Sequence, residues 1–143
     1  GHQLREAGHE YGAATGRPRR VAWFDVVASR YGVLLQGATE RSLTKLDVLS
    51  GFDTLPICVA YKKDGEIIHD FPYTADWDAC APVFESMQGW KEDLTGMRRY
   101  EDLPEAARIY VERIEAEMKT PITFVSVGPE RDQLIIREDR HAR

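Results

Sequence analysis

Apolar residues along the chain fall into two kinds of spacing. Trp23, Val27, Tyr31 and Leu34 recur at intervals of 4, 4 and 3, with Asp25, Ser29 and Arg30 off that face. The spacing predicts a helix that starts near Val21 and ends before Gly37. Asp102 and Pro104 open a second helix, in which Ala107, Val111, Ile114 and Met118 share one face until Pro121 stops it. The other apolar runs read as strands: a short one over Ser42–Leu46, a β-branched and aromatic one over Pro56–Lys63, and a last one over Gln133–Arg137. Asp64-Gly65, followed by Ile67, Ile68 and Phe71, signals a hairpin. Ile122–Val127 is a near-continuous apolar run, as in a strand covered on both faces, and Gly128-Pro129 ends it. Leu4–Tyr11 reads as a short charged helix end, Trp77–Trp90 as a loop with short helical turns, and Glu138–Arg143 as a frayed tail. The alternation of helices and strands predicts an α/β fold with a mainly parallel sheet and one antiparallel hairpin.

Composition narrows the class. A length of 143 residues suits about one domain, able to bury roughly two-thirds of its unfolded surface. With 43% hydrophobic and 30% charged residues, the balance is that of a globular chain rather than a disordered one. No apolar run approaches the roughly 18 residues a membrane helix needs, and the polar start GHQLREAGHE is no signal-peptide core. A formal charge of -5 argues against nucleic-acid and membrane-surface partners. Cys58 and Cys80 form no CxxC and read as the reduced thiols of a cytoplasmic protein. The chain does not begin with Met, which suggests a piece or a processed form.

Three segments carry candidate chemistry. In TKLD (Thr44–Asp47), at a strand end, the carboxylate of Asp47 can accept hydrogen bonds from N1–H and the 2-amino group of guanine, a donor pair that adenine lacks. Lys45 can lay its methylene stem along a purine face. The plain alternative is an ordinary Lys–Asp at a strand exit. In the loop Gly12–Arg20, Arg17, Arg19 and Arg20 surround glycines, and guanidinium forks clamp carboxylates and phosphates. Amides near Gly16 and the Thr15 hydroxyl can add donors to an anion. The alternative is a solvated basic loop. In SVGPER (Ser126–Arg131), Gly128 would let a ligand approach the backbone closely; the alternative is a plain strand-to-turn transition. His2, His9, His69 and His141 show no metal-ligand spacing, Cys58 sits in an apolar run that suits a core, and GWKEDLTG has no assignable chemistry. No phosphate-loop motif, nucleophile elbow or acid–base pair is present, so no catalytic residue and no metal ligand is identified.

Taken in order, GHEYGAATGRPRR, AWFDVVASRYG, LTKLDVLSGFD, ICVAY, GWKEDLTG, LPEAARIYVERIE and VSVGPERDQ resemble the C-terminal third of the adenylosuccinate synthetases, over roughly Leu4–Ile136. The resemblance implies the C-terminal part of a P-loop-like α/β fold, with the whole of 1–143 as one such portion. It implies a GTP-dependent ligase of AMP biosynthesis, in which the γ-phosphate of GTP moves to the 6-oxygen of IMP and L-aspartate displaces it, with Mg2+ required. Residues Ala13, Ala14, Thr15, Gly16, Arg17, Pro18 and Arg19 match the family's aspartate- and IMP-binding loop, with Ala14 where the family pattern has a threonine. Arg17 matches the arginine reaching IMP and aspartate, and Arg19 the one serving aspartate and GTP. Lys45, Leu46 and Asp47, with Ser126, Val127 and Gly128, match the guanine site. The phosphate loop, catalytic Asp and His and the Mg2+ ligand belong to the family's N-terminal part and are not in this sequence. The chain is therefore expected to be inactive alone, and the family implies a cytoplasmic homodimer.

Two other functions stay open at this level. One is a non-catalytic guanine-nucleotide binding module using TKLD and SVG. The other is a partner-binding protein with GRPRR as an anionic docking loop. Guanine selectivity that depends on Asp47 separates the last from the first two.

Overall fold

The computed structural model describes residues 1–72 and 74–138. The elements run α1 (His2–Ala7), β1 (Phe24–Asp25), α2 (Val26–Gln36), β2 (Arg41–Leu43), β3 (Thr54–Lys63), β4 (Glu66–Ile68), β5 (Ala81–Gln88), α3 (Glu105–Met118), β6 (Ile122–Ser126) and β7 (Leu134–Ile136). They form a mixed α/β fold with two sheets. In the first, β3 is the hub: it pairs in parallel with β1 and antiparallel with β4 and β5. In the second, β6 lies between β2, parallel to it, and β7, antiparallel to it. Antiparallel pairing thus extends beyond the single hairpin expected.

That hairpin forms for the anticipated reason. Asp64 and Gly65 take φ of 51° and 89°, the two positive values of the turn that suits twisted strands. β5 was not anticipated, because Trp77–Trp90 reads as a loop with short helical turns. Only Thr74–Ala79 takes that form, as a 3-10 turn, and Ala81–Gln88 pairs along nearly all of β3. Its residues are exposed on both faces except Val83 and Met87, so no alternation marks it in the sequence. The tail residues 139–143 lie outside the described residues.

The first helix also differs from its periodic reading. Phe24 and Asp25 pair with β3, and the Asp25 carboxylate accepts from the Ala28 amide at 2.9 Å, capping a helix that starts only at Val26. Trp23 therefore lies before the helix. Val26 and Val27 are buried, whereas Tyr31 is exposed and stacks on Phe71, and Leu34 is 77% exposed. The 4-4-3 spacing joins Trp23, which precedes β1, to residues of the helix.

α3 matches its reading. Ala107, Tyr110, Val111, Ile114 and Met118 are buried in a core that also takes Leu55 and Ile57 from β3 and Ile122 and Val125 from β6. The helix ends at Met118, with Lys119 in the left-handed region, before Pro121. β6 is buried at Ile122, Thr123 and Val125, as the apolar run suggests. A polar staple fixes α3 to this strand. Arg137, 4% exposed, donates to Glu115 at 3.2 Å and to the Ile122 carbonyl at 2.9 Å, and lies 4.2 Å above the Tyr100 ring. The Glu115 carboxylate also accepts from the Ile122 amide at 2.8 Å. Burial pushes the Tyr110 hydroxyl up to about 12 and Tyr100 higher still, so both stay neutral at any physiological pH.

Arg137→Met removes the buried guanidinium that balances Glu115. It is expected to cost about 3–5 kcal/mol in urea unfolding, the range for breaking a buried ion pair.

Candidate functional site

β2 and β6 run parallel with Leu43 opposite Val125. The chain therefore leaves both strands at the same end. Thr44–Asp47 follows one and Ser126–Gly128 the other, so two segments far apart in sequence become neighbours. Carboxyl ends of adjacent parallel strands are where α/β sheets collect ligands. Lys45 turns the corner with φ 62° and opens a 3-10 turn, Leu46–Leu49. Leu46, 1% exposed, anchors that turn in the core between the exposed Lys45 and the half-buried Asp47.

Asp47 is the unusual member. Its Oδ1 is buried without a hydrogen-bond partner. Burial pushes its carboxyl above the ordinary range and nearby Asp93 adds to this, against the backbone amides of Asp47 and Val48 and the Lys45 charge. A buried acceptor left empty carries a desolvation cost that a donor from a ligand would remove.

The neighbouring segments brace this corner through contacts between turns that no single motif in the sequence shows. GWKEDLTG is structural. Trp90 is buried against Tyr110, donates from Nε1 to Ser50 at 3.1 Å, and accepts at its carbonyl from Gly51 at 2.8 Å. It thus holds the segment just after the Leu46–Leu49 turn. Gly89 is required there, since a Cβ would lie 2.1 Å from the Phe52 carbonyl oxygen. Asp93 accepts from the amide and hydroxyl of Thr95 at 2.9 and 2.8 Å, which holds its carboxyl low. Gln133 donates to the Thr95 carbonyl at 3.1 Å and accepts from the Glu130 amide at 3.0 Å, joining this turn to SVGPER. Gly128 belongs to the same contact. A Cβ there would meet Gln133 Oε1 at 2.1 Å, so the missing side chain leaves room for the end of Gln133.

The arginine loop is exposed from Ala13 to Arg20. Its stem closes through a Tyr11–Pro18 bridge and a Gly12 amide to Arg17 carbonyl bond of 2.8 Å. Gly16, with φ 63°, donates its amide to the Gly12 carbonyl at 2.8 Å, and the Thr15 hydroxyl accepts from the Arg17 amide at 3.4 Å. The Gly16 amide and the Thr15 oxygen are thus engaged within the loop. The Thr15 hydroxyl keeps its proton to donate, and the charge available for an anion is that of the guanidiniums. Arg17 and Arg20 pair with no acid among the described residues. Arg19 pairs with Glu10 at 3.1 Å, and Glu10 also binds Lys45. Those two cations hold the Glu10 carboxyl below its ordinary range.

A cavity of about 390 Å³ opens on the Lys45 side, lined among others by Glu10, Arg20, Leu43, Thr44, Lys45 and Tyr110. Asp47 and Ser126–Gly128 do not line it. No group of three or more His, Cys, Asp or Glu side chains able to hold a metal occurs among the described residues. No helix among them is long and apolar enough to cross a membrane.

Comparison with known proteins adds an independent line. The family model described as adenylosuccinate synthetase matches residues 1–135. Adenylosuccinate synthetase 2 of Pseudoalteromonas translucida is 59% identical over 134 residues, covering 94% of this chain and 31% of that protein. Adenylosuccinate synthetase of Desulfitobacterium hafniense is 49% identical over 138 residues, covering 96% and 32%. The structure of fully ligated adenylosuccinate synthetase from Plasmodium falciparum superposes with a TM-score of 0.92 at 39% identity, covering 96% of this chain and 34% of that one. The chain thus spans about a third of the length of the curated relatives it matches.

Three substitutions have outcomes set by this geometry. Asp47→Asn is expected to raise the urea midpoint at pH 7. The folded-state pKa of Asp47 is raised, so its ionised form opposes folding at neutral pH. That penalty fades as pH falls through the raised value, and the gain should vanish below the ordinary 3.8, where Asp47 is neutral folded or unfolded. Gly89→Ala, which must push the Phe52 backbone aside, should cost about 1–3 kcal/mol in urea unfolding. Gly96→Ala, with nothing within 4 Å of its Cβ, should stay within about 0.5 kcal/mol.

Proposed function

Because the chain belongs to the adenylosuccinate synthetase family, we propose that it is the C-terminal, substrate-reading portion of a GTP-dependent ligase joining L-aspartate to IMP in AMP biosynthesis. The observation that carries this reading is the empty buried acceptor of Asp47, beside the end of β6. A carboxylate there accepts the N1–H and 2-amino donors of guanine. Adenine offers no such pair, and a site built around buried polar groups rejects a ligand that leaves them empty. Lys45 lies beside the base with its stem, and Ser126–Gly128 forms the second wall. The guanidiniums of Arg17 and Arg19 suit the two carboxylates of aspartate and the phosphate of IMP, because planar forks bind such oxygens in pairs. Their work is positioning and charge balance, which dominate phosphoryl transfer.

Magnesium, which the family implies, finds no suitable ligand group among the described residues, so no step assigned to this chain runs through a metal. The chemistry of transfer falls to residues outside this sequence, and the chain alone makes no adenylosuccinate. A cytoplasmic location and a homodimer for the complete enzyme belong to the same reading; two free cysteines suit a reducing compartment.

The test is calorimetric titration of the chain with GDP and ADP. GDP should bind at least about tenfold more tightly than ADP, and Asp47→Ala should abolish the difference. Equal affinity for the two nucleotides, or no binding of GDP, contradicts the reading.

A further inference from the structure

We propose that Glu10 is a positioning residue that couples the arginine loop to the Lys45 turn, so that a ligand engaging Lys45 changes the freedom of Arg19. The two oxygens of one carboxylate divide between the segments. Oε1 accepts from Lys45 Nζ, and Oε2 accepts from Arg19 Nη1 at 3.1 Å. The backbone repeats the connection: the Glu10 carbonyl accepts from the Arg19 amide at 2.9 Å, and Lys45 Nζ also donates to the Gly8 carbonyl at 2.9 Å. Arg5 Nε donates to the Arg19 carbonyl at 2.8 Å, which keeps the end of the loop over α1. The carboxylate is the most sheltered member: the Glu10 side chain is 21% exposed against 51% for Lys45 and 57% for Arg19.

A single exposed ion pair contributes little. A shared carboxylate differs because its two partners are linked: withdrawing Lys45 leaves Arg19 with an acceptor that is free to swing. A base that lays itself along Lys45 therefore competes for the ammonium and changes the hold on the loop, a coupling between two sites through one side chain. The link itself stands on these contacts. Only the identity of the ligand, a guanine base, rests on the proposed function.

Trypsin reads the link directly in the ligand-free chain. Cleavage after Arg19 and Arg20 reports loop opening, while cleavage after Arg108 within α3 reports global unfolding. Glu10→Gln and Lys45→Met should each speed loop cleavage about two- to fivefold, the range that exposed pairs support, without changing cleavage after Arg108. The double variant should be no faster than either single one, and Glu10→Asp, which keeps the charge, should retain part of the protection. Unchanged loop cleavage in the single variants, or multiplying effects in the double, overturns the proposal. If Glu10→Gln unfolds the chain, the comparison of Lys45→Met with Glu10→Asp still decides. A second arm adds GDP. It should change loop cleavage in the wild type and not in Glu10→Gln. A wild type indifferent to GDP, with the variant pattern intact, would refute the nucleotide reading and leave the link standing.

Discussion

The parallel pairing of β2 with β6 is the constraint on which the site depends. Leu43 opposite Val125 sets the register, and the register decides that Thr44–Asp47 and Ser126–Gly128 emerge side by side. β2 has only three residues, too few to hold a register by ladder bonds alone. The neighbours supply what is missing. α3 lays its buried face against Ile122 and Val125, Arg137 and Glu115 pin the start of β6, and Leu46 anchors the turn in the same core. A one-residue slip of β6 would exchange the side chains on its two covered faces and shift the two segments out of step, so core packing and site geometry are one requirement.

Around this corner the molecule carries a local cost in stability. Asp47 keeps a buried oxygen without a donor, and burial raises its carboxyl. The cost persists because the surroundings hold the turn rigidly: Trp90 ties Ser50 and Gly51, Gly89 permits the close approach to Phe52, and Gln133 bridges Thr95 to Glu130. The arginine loop has the opposite character. Its eight residues from Ala13 to Arg20 are exposed and held mainly at the stem, so its cations can move to a ligand. Glu10 stands where the rigid and the mobile parts meet.

Much of this was legible in the sequence, and what was not has physical causes. α3 showed itself because one face is buried along its whole length, and the hairpin because Asp-Gly is among the few pairs that accept two positive φ values. β5 was invisible because an edge strand exposed on both faces carries no alternation. α2 was misplaced by Trp23, whose spacing fits a helix although the adjoining Phe24 and Asp25 pair with β3; the capping aspartate was the better signal. Asp47 and the arginines were singled out as candidates by their chemistry and by family resemblance. Gln133 and Asp93 were not, because their roles arise from contacts between turns that no local pattern encodes. For the same reason the packing of Gln133 against Gly128 was not visible in the sequence.

On the proposed reading, the ends of β2 and β6 form a single guanine-reading site. The most direct test is amide-resolved NMR of the chain during GDP titration. The amides of Lys45–Asp47 and of Ser126–Gly128 are expected to shift together and saturate with one common Kd, while ADP leaves both unmoved. Shifts confined to one of the two segments, or following two different affinities, would contradict it.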